Sequence, residues 1–150
     1  MSVDFPIYRP RRTRATENLR AMIRETEVSV KDLIYPIFVV PGTNVKHEIE
    51  SLPGNYHWSI DRLGECMDEV ASLGIPAVLL FGVPSYKDAV GSSAWDMNEP
   101  VQLACKLIKE KYPEIVIITD VCMCEYTEHG HCGVLEHGCT VNNDETLPLL

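Results

Sequence analysis

The sequence predicts an α/β protein on a parallel sheet: the N-terminal part of a (β/α)8 TIM barrel preceded by an extended N-terminal arm. Three observations carry this. Near-continuous apolar runs centred on Ile37, Leu80 and Ile118 alternate with segments of helical periodicity. That alternation is the pattern of strand–helix–strand units with right-handed crossovers. The runs recur about every 40 residues, and eight such units need roughly 320 residues, within the barrel range. A further helix signal opens near Asn143 or Asp144, and no closing polar segment follows Leu150. A small open α/β sheet, complete as it stands, also fits the pattern, but the helix signal at the end favours a barrel truncated at its C-terminus. The units share period and not sequence, which argues against a solenoid or propeller. No strand is followed by G-x-G-x-x-G, so the dinucleotide fingerprint is absent.

The elements follow in order. Residues 1–15 read as the arm, which contains Pro6 and Pro10 and carries Arg9, Arg11, Arg12 and Arg14. Such a segment is either a solvated tail or a grip on the acidic body of a neighbouring subunit, since guanidinium forks suit carboxylates. Thr16 is a helix cap, with Leu19, Met22 and Ile23 on one face. Leu33 to Val40 is a strand buried on both faces, though Pro36 points to an early or edge position. Residues 41–58 read as a polar excursion turning at Pro53-Gly54-Asn55. Ser59 caps a helix running to Leu73, with Leu63, Met67, Val70 and Ala71 on its inner face, stopped by Gly74 and Pro76. Ala77 to Phe81 is the second strand. After a polar loop at 85–97, Asn98 caps a helix with Pro100 in its first turn and Leu103, Leu107 and Ile108 inward. Ile115 to Thr119 is the third strand. Residues 16–150 thus form about three strand–helix units of one partial barrel.

Composition narrows the function. The 150 residues are 45% apolar and 23% charged, as in globular proteins. No apolar run approaches the ~20 residues of a spanning helix, and there is no apolar N-terminal signal region, so a soluble, cytoplasmic protein without a membrane partner is expected. The net charge of −9 is uneven. Residues 1–24 carry six Arg against two acids, and residues 25–150 carry seven bases against twenty acids. A body of net −13 argues against a nucleic-acid partner.

The chemistry concentrates after the third strand, where active sites of parallel α/β folds sit. There Asp120-Val121-Cys122-Met123-Cys124 leads to Tyr126-Thr127-Glu128-His129-Gly130-His131-Cys132-Gly133, a C-x-C-x7-C spacing. Without a secretion signal, clustered cysteines read as metal ligands or redox thiols. Cys122, Cys124 and Cys132 suit a soft or borderline ion, foremost Zn²⁺, and three protein ligands leave the open position of a catalytic zinc. Zinc with three thiolates carries formal −1, which suits binding and orienting a substrate better than making hydroxide. Gly130 and Gly133 let the loop fold back to deliver Cys132. His129 and His131 read as auxiliary groups, a hydrogen-bond donor behind a ligand or a general acid–base, rather than as direct metal ligands. Asp120 reads as an active-site carboxylate. Cys66 and Cys105 read as buried hydrophobes, and Cys139 with His137 as incidental. A self-contained zinc module with a structural or interaction role is the alternative.

The stretch from Asp120 to Gly133 resembles the zinc loop of the porphobilinogen synthase (δ-aminolevulinic acid dehydratase) family. Arg9-Pro10-Arg11-Arg12-x-Arg14, Pro36-Ile37-Phe38-Val39, Phe81-Gly82-Val83 and Gly91-Ser92 match in order as well. The resemblance implies a (β/α)8 barrel whose arm wraps a neighbouring subunit, in a homo-octamer. It implies condensation of two 5-aminolevulinate molecules to porphobilinogen with loss of water, in haem and other tetrapyrrole biosynthesis. It implies catalytic Zn²⁺ on Cys122, Cys124 and Cys132, with Asp120 as a carboxylate of the same site. Members of the family run to roughly twice this length. The two Schiff-base lysines, the substrate-carboxylate contacts, the lid and the allosteric Mg²⁺ site are expected in the other half, and the 150-residue chain alone is expected to be inactive. None of Lys31, Lys46, Lys87, Lys106, Lys109 or Lys111 is expected at a strand end beside the zinc loop.

Overall fold

A computed structural model describes residues 11–150, so Arg9 and the rest of the first ten residues lie outside the described part. The apolar runs form β1 (Ile34–Val39), β4 (Ala77–Gly82) and β5 (Val116–Thr119), side by side and parallel. β1 and β4 pair along their whole length, from Ile34 with Ala77 to Val39 with Gly82. β2 (Lys46–Glu48) and β3 (Tyr56–Trp58) form an antiparallel pair, and β3 joins the other side of β1. The sheet order is β2-β3-β1-β4-β5.

Strand alternation decides what each face does. Ile37 and Val39 of β1, Val78 and Leu80 of β4 and Ile117 of β5 point to one face. There they meet Leu63, Cys66, Met67 and Val70 of α2 (Leu63–Ser72) and Ala104 and Ile108 of α3 (Pro100–Lys111). Leu63, Met67 and Ile108 are wholly buried, each worth about 1.5–3 kcal/mol by transfer from water. The alternate set, including Ile34, Pro36 and Val116, faces away from both helices, and Ile34 and Val116 are 52% and 58% exposed. A doubly wound sheet sets helices on both faces. Two successive crossovers stepping the same way, with both helices on one face, make a sector of a (β/α)8 barrel whose interior face is open.

Several expectations change. Pro36 sits in the middle of the sheet, paired with Leu79 of β4. It is tolerated because β3 covers only Phe38 and Val39, so the strand's other side is free beside Pro36. The excursion at 41–58 contains β2 and β3, strands too short for their period to register. Ser59 does not cap α2. Its hydroxyl donates to Asp61 Oδ1 (2.6 Å) and accepts from the Val45 N–H (2.8 Å), and α2 begins at Leu63. Ala71 is exposed. Glu99, not Asn98, is the residue before α3, with Pro100 as its first residue, and Leu103 and Leu107 are only half-buried. Asn142 caps α4 (Asn143–Thr146) by accepting from the Glu145 N–H (3.1 Å).

At the N-terminal end, Thr16 caps α1 (Glu17–Met22) by accepting from the Leu19 N–H (3.2 Å). Every residue from Arg11 to Ile34 is exposed, Met22 to 81%. The apolar face of α1 is not buried by any described residue.

Candidate metal centre

β5 delivers Asp120 at the C-terminal edge of the sheet, where the Asp120 N–H still donates to the Leu80 carbonyl (3.2 Å). The chain then winds into a turn held by the Met123 carbonyl, which accepts from the N–H groups of Tyr126 (3.0 Å) and Thr127 (2.9 Å). Met123, Tyr126 and Thr127 are buried. They anchor the turn that carries Cys124 and Glu125. Thr127 Oγ1 donates to the His131 carbonyl (2.8 Å) and closes the loop. Gly130, at φ +73°, turns the chain back. Gly133 lies against Val141 and Thr146, where a Cβ has no room. A short hairpin, β6 (Leu135–Glu136) and β7 (Thr140–Val141), follows. Two residues per strand leave no periodic signal, and the sequence pattern did not reveal it.

This winding brings the three sulfurs together. Cys122 Sγ stands 3.1 Å from Cys124 Sγ and 3.4 Å from Cys132 Sγ, all three lie within 4.8 Å of one another, and all are free thiols. The donor set could hold a soft metal ion. Hydrogen bonding within the cluster splits its titration. The contact with Cys124 holds the Cys122 thiol below its usual range, while Cys124 is pushed up to about 12, first by the same contact and then by burial. No second group of three His, Cys, Asp or Glu side chains converges among the described residues.

The other candidates separate. The His131 N–H donates to Nδ1 of His129 (3.2 Å), so the ring proton sits on Nε2 and is donated to the Ala89 carbonyl (3.1 Å). His129 therefore ties the cysteine loop to the loop after β4, and neither histidine ring is among the converging donors. Cys139 and His137 are exposed on the β6–β7 turn, with His137 Nε2 3.5 Å from Glu136. Cys66 is buried in α2 and its thiol is pushed up to about 11 by that burial, which makes it inert. Burial also raises Cys105. Arg11, Arg12 and Arg14 are exposed, with no acidic partner among the described residues.

Two cavities adjoin the loop. One of about 390 Å³ is lined by Trp95, Val101, Cys105, Asp120, Cys122 and Tyr126. A smaller one of about 160 Å³ lies over the stacked rings of Phe38 and Phe81 and is lined also by Lys87 and Glu125. Glu125 was not singled out by sequence. Its Oε2 is buried without a partner, and burial, then the charge of Asp120, hold its carboxyl above the usual range. Lys87, exposed on the loop five residues past β4 rather than at the strand end itself, lines the smaller cavity with Glu125. Lys106 and Lys109 of α3 also line the larger cavity.

The comparisons agree on one relationship. The family model described as "Delta-aminolevulinic acid dehydratase" matches residues 7–150. A delta-aminolevulinic acid dehydratase from Ruminiclostridium josui is 51% identical over 144 residues, which is 96% of this chain and 70% of that protein. The one from Halalkalibacterium halodurans is 49% identical over all 150 residues but is covered to only 45%. Among solved structures, delta-aminolevulinic acid dehydratase (porphobilinogen synthase) from Toxoplasma gondii ME49, in complex with the reaction product porphobilinogen, superposes with a TM-score of 0.86 at 29% identity. The match covers 94% of this chain and 41% of that one. The chain thus spans under half the length of the Halalkalibacterium and Toxoplasma proteins.

Proposed function

The chain belongs to the delta-aminolevulinic acid dehydratase family, and from that premise we propose that it carries the metal-binding part of a porphobilinogen synthase. The reaction joins two 5-aminolevulinate molecules into porphobilinogen with loss of water, a lyase step of haem and other porphyrin biosynthesis in the cytoplasm. One observation carries the reading: Cys122, Cys124 and Cys132 converge at the C-terminal end of β5.

The residues fit zinc. In a tetrahedral site with Zn–S near ~2.3 Å, sulfurs stand about 3.8 Å apart. The two closest pairs here, at 3.1 and 3.4 Å, need only sub-ångström adjustment. When bound, zinc with three thiolates supplies an open, weakly Lewis-acidic position for an amine or carbonyl oxygen. Asp120, at the strand end, is the carboxylate that would receive an ammonium group beside it. Asp120 in the larger cavity and Glu125 in the smaller one are carboxyl groups on either side of the cysteine loop that suit an amino-ketone. Holding one substrate there turns a bimolecular condensation into a positioned one.

All six lysines are exposed, whereas a Schiff-base lysine needs desolvation or a cationic neighbour, so the imine-forming lysines are assigned to none of them. In the same reading Arg9, Arg11, Arg12 and Arg14 grip a neighbouring subunit of a homo-octamer, and an allosteric Mg²⁺ site lies outside this chain. The test is metal content with activity. The purified chain should bind one zinc, keep its far-ultraviolet circular dichroism when a chelator removes it, and make no porphobilinogen above a no-protein blank. Failure to bind zinc, or turnover by the chain alone, overturns the reading. Unfolding on chelation supports a structural zinc module instead.

A further inference from the structure

The loop after β4 is knotted by one side chain. Asp88 Oδ1 accepts from the N–H groups of Val90 (3.0 Å) and Ser92 (2.9 Å), and Oδ2 accepts from the Ser92 hydroxyl. These bonds hold residues 88–92 in one compact turn. The knot faces the cysteine loop. The Asp88 N–H donates to the Tyr126 carbonyl (3.4 Å) and the Asp88 carbonyl accepts from the Glu128 N–H (3.0 Å), a parallel bridge to Thr127. The next carbonyl, of Ala89, accepts from His129. Gly91 leaves no space for a side chain beside Met123, Tyr126 and Thr127. The buried residues that anchor the cysteine loop therefore rest on the knot.

We propose that Asp88 is a positioning residue for the three-cysteine loop, setting the backbone against which residues 123–129 aim the sulfurs. Asp88 touches no sulfur and acts only through the loop. Removing its carboxylate frees two backbone N–H groups and a hydroxyl, lets 88–92 open, and loosens the bridge at Thr127. The sulfurs then sample arrangements wider than a single ion accepts. The inference rests on the metal reading of the cysteines for its first readout only.

The experiment titrates the full 150-residue chain with Co²⁺ and follows the thiolate-to-metal charge-transfer band. Asp88→Ala should weaken binding about 10- to 100-fold, the usual cost of losing a group that orients metal ligands. Asp88→Asn keeps an Oδ1 acceptor for both N–H groups and should return most of that affinity. Asp61→Ala is the control. It removes a similar turn-forming carboxylate, whose partners are Ser59 and Asn44, and should leave cobalt affinity and band shape unchanged whatever it does to the melting temperature. Wild-type affinity in Asp88→Ala overturns the proposal, as does equal weakening in Asp61→Ala or no recovery in Asp88→Asn. If the wild-type chain shows no band, the metal reading fails and a metal-free readout decides. The rate at which phenylarsine oxide bridges two of the thiols should fall in Asp88→Ala and not in Asp61→Ala. Equal rates overturn the proposal.

Discussion

Replacing Gly133 by Ala should strike stability and the metal centre together. The added Cβ would stand 2.5 Å from Thr146 Oγ1, 2.6 Å from Val141 Cγ1 and 2.7 Å from Thr146 Cγ2. Gly133 and Thr146 are both buried, so neither side gives way freely, and overpacking of this kind costs about 1–3 kcal/mol. Thr146 Oγ1 also donates to the Asn142 carbonyl (2.6 Å) and accepts from the Val134 N–H (3.0 Å). Displacing the hydroxyl strands that N–H and adds about 1 kcal/mol. The sum is roughly 2–4 kcal/mol, a drop of about 5–15 °C in the thermal midpoint for a domain of this size. Cys132 is one peptide bond away, so the same displacement pulls its sulfur and weakens Co²⁺ binding. Thermal melts by circular dichroism and a cobalt titration measure both effects. Val141→Ala in the same chain removes one clashing methyl and should restore part of each. A Gly133→Ala midpoint and affinity indistinguishable from wild type would refute the packing argument.

Other expectations follow from the same geometry. Cys124→Ser should abolish stoichiometric zinc retention in gel filtration, while Cys139→Ser, on the exposed turn, should retain one zinc per chain. The Asp61 carboxyl is held below its usual range, first by the Ser59 hydroxyl and then by the Asn44 N–H. A depressed folded value stabilises above the unfolded carboxylate range and is lost as pH falls through the folded value, so Asp61→Asn should lower the urea midpoint near pH 7, and the difference from wild type should shrink as pH falls below the carboxylate range. The open edge of β5 and the exposed apolar face around Ile34 and Val116 should drive self-association at micromolar concentration. A clean monomer in sedimentation velocity would contradict that.

Much of this molecule was legible in one dimension because its signals are local. Three long apolar runs have no stable place except a sheet buried on at least one face, and β1, β4 and β5 lie within them. Gly74, Pro100 and Thr16 act through their own backbone and punctuate the helices close to where the residue types predict. The C-x-C-x7-C spacing needed only glycines to fold it, and Cys122, Cys124 and Cys132 meet. What stayed hidden depends on partners distant in the chain. Two- and three-residue strands such as β2 and β6 exist only because a neighbour completes their hydrogen bonds. Pro36 is tolerated mid-sheet because β3 pairs with β1 only at Phe38 and Val39. The roles of Asp88, His129 and Glu125 come from two loops, some 40 residues apart in the chain, lying against each other at the mouth of the sheet. That juxtaposition follows from both crossovers stepping the same way, a property of how whole units pack rather than of any residue's own preference.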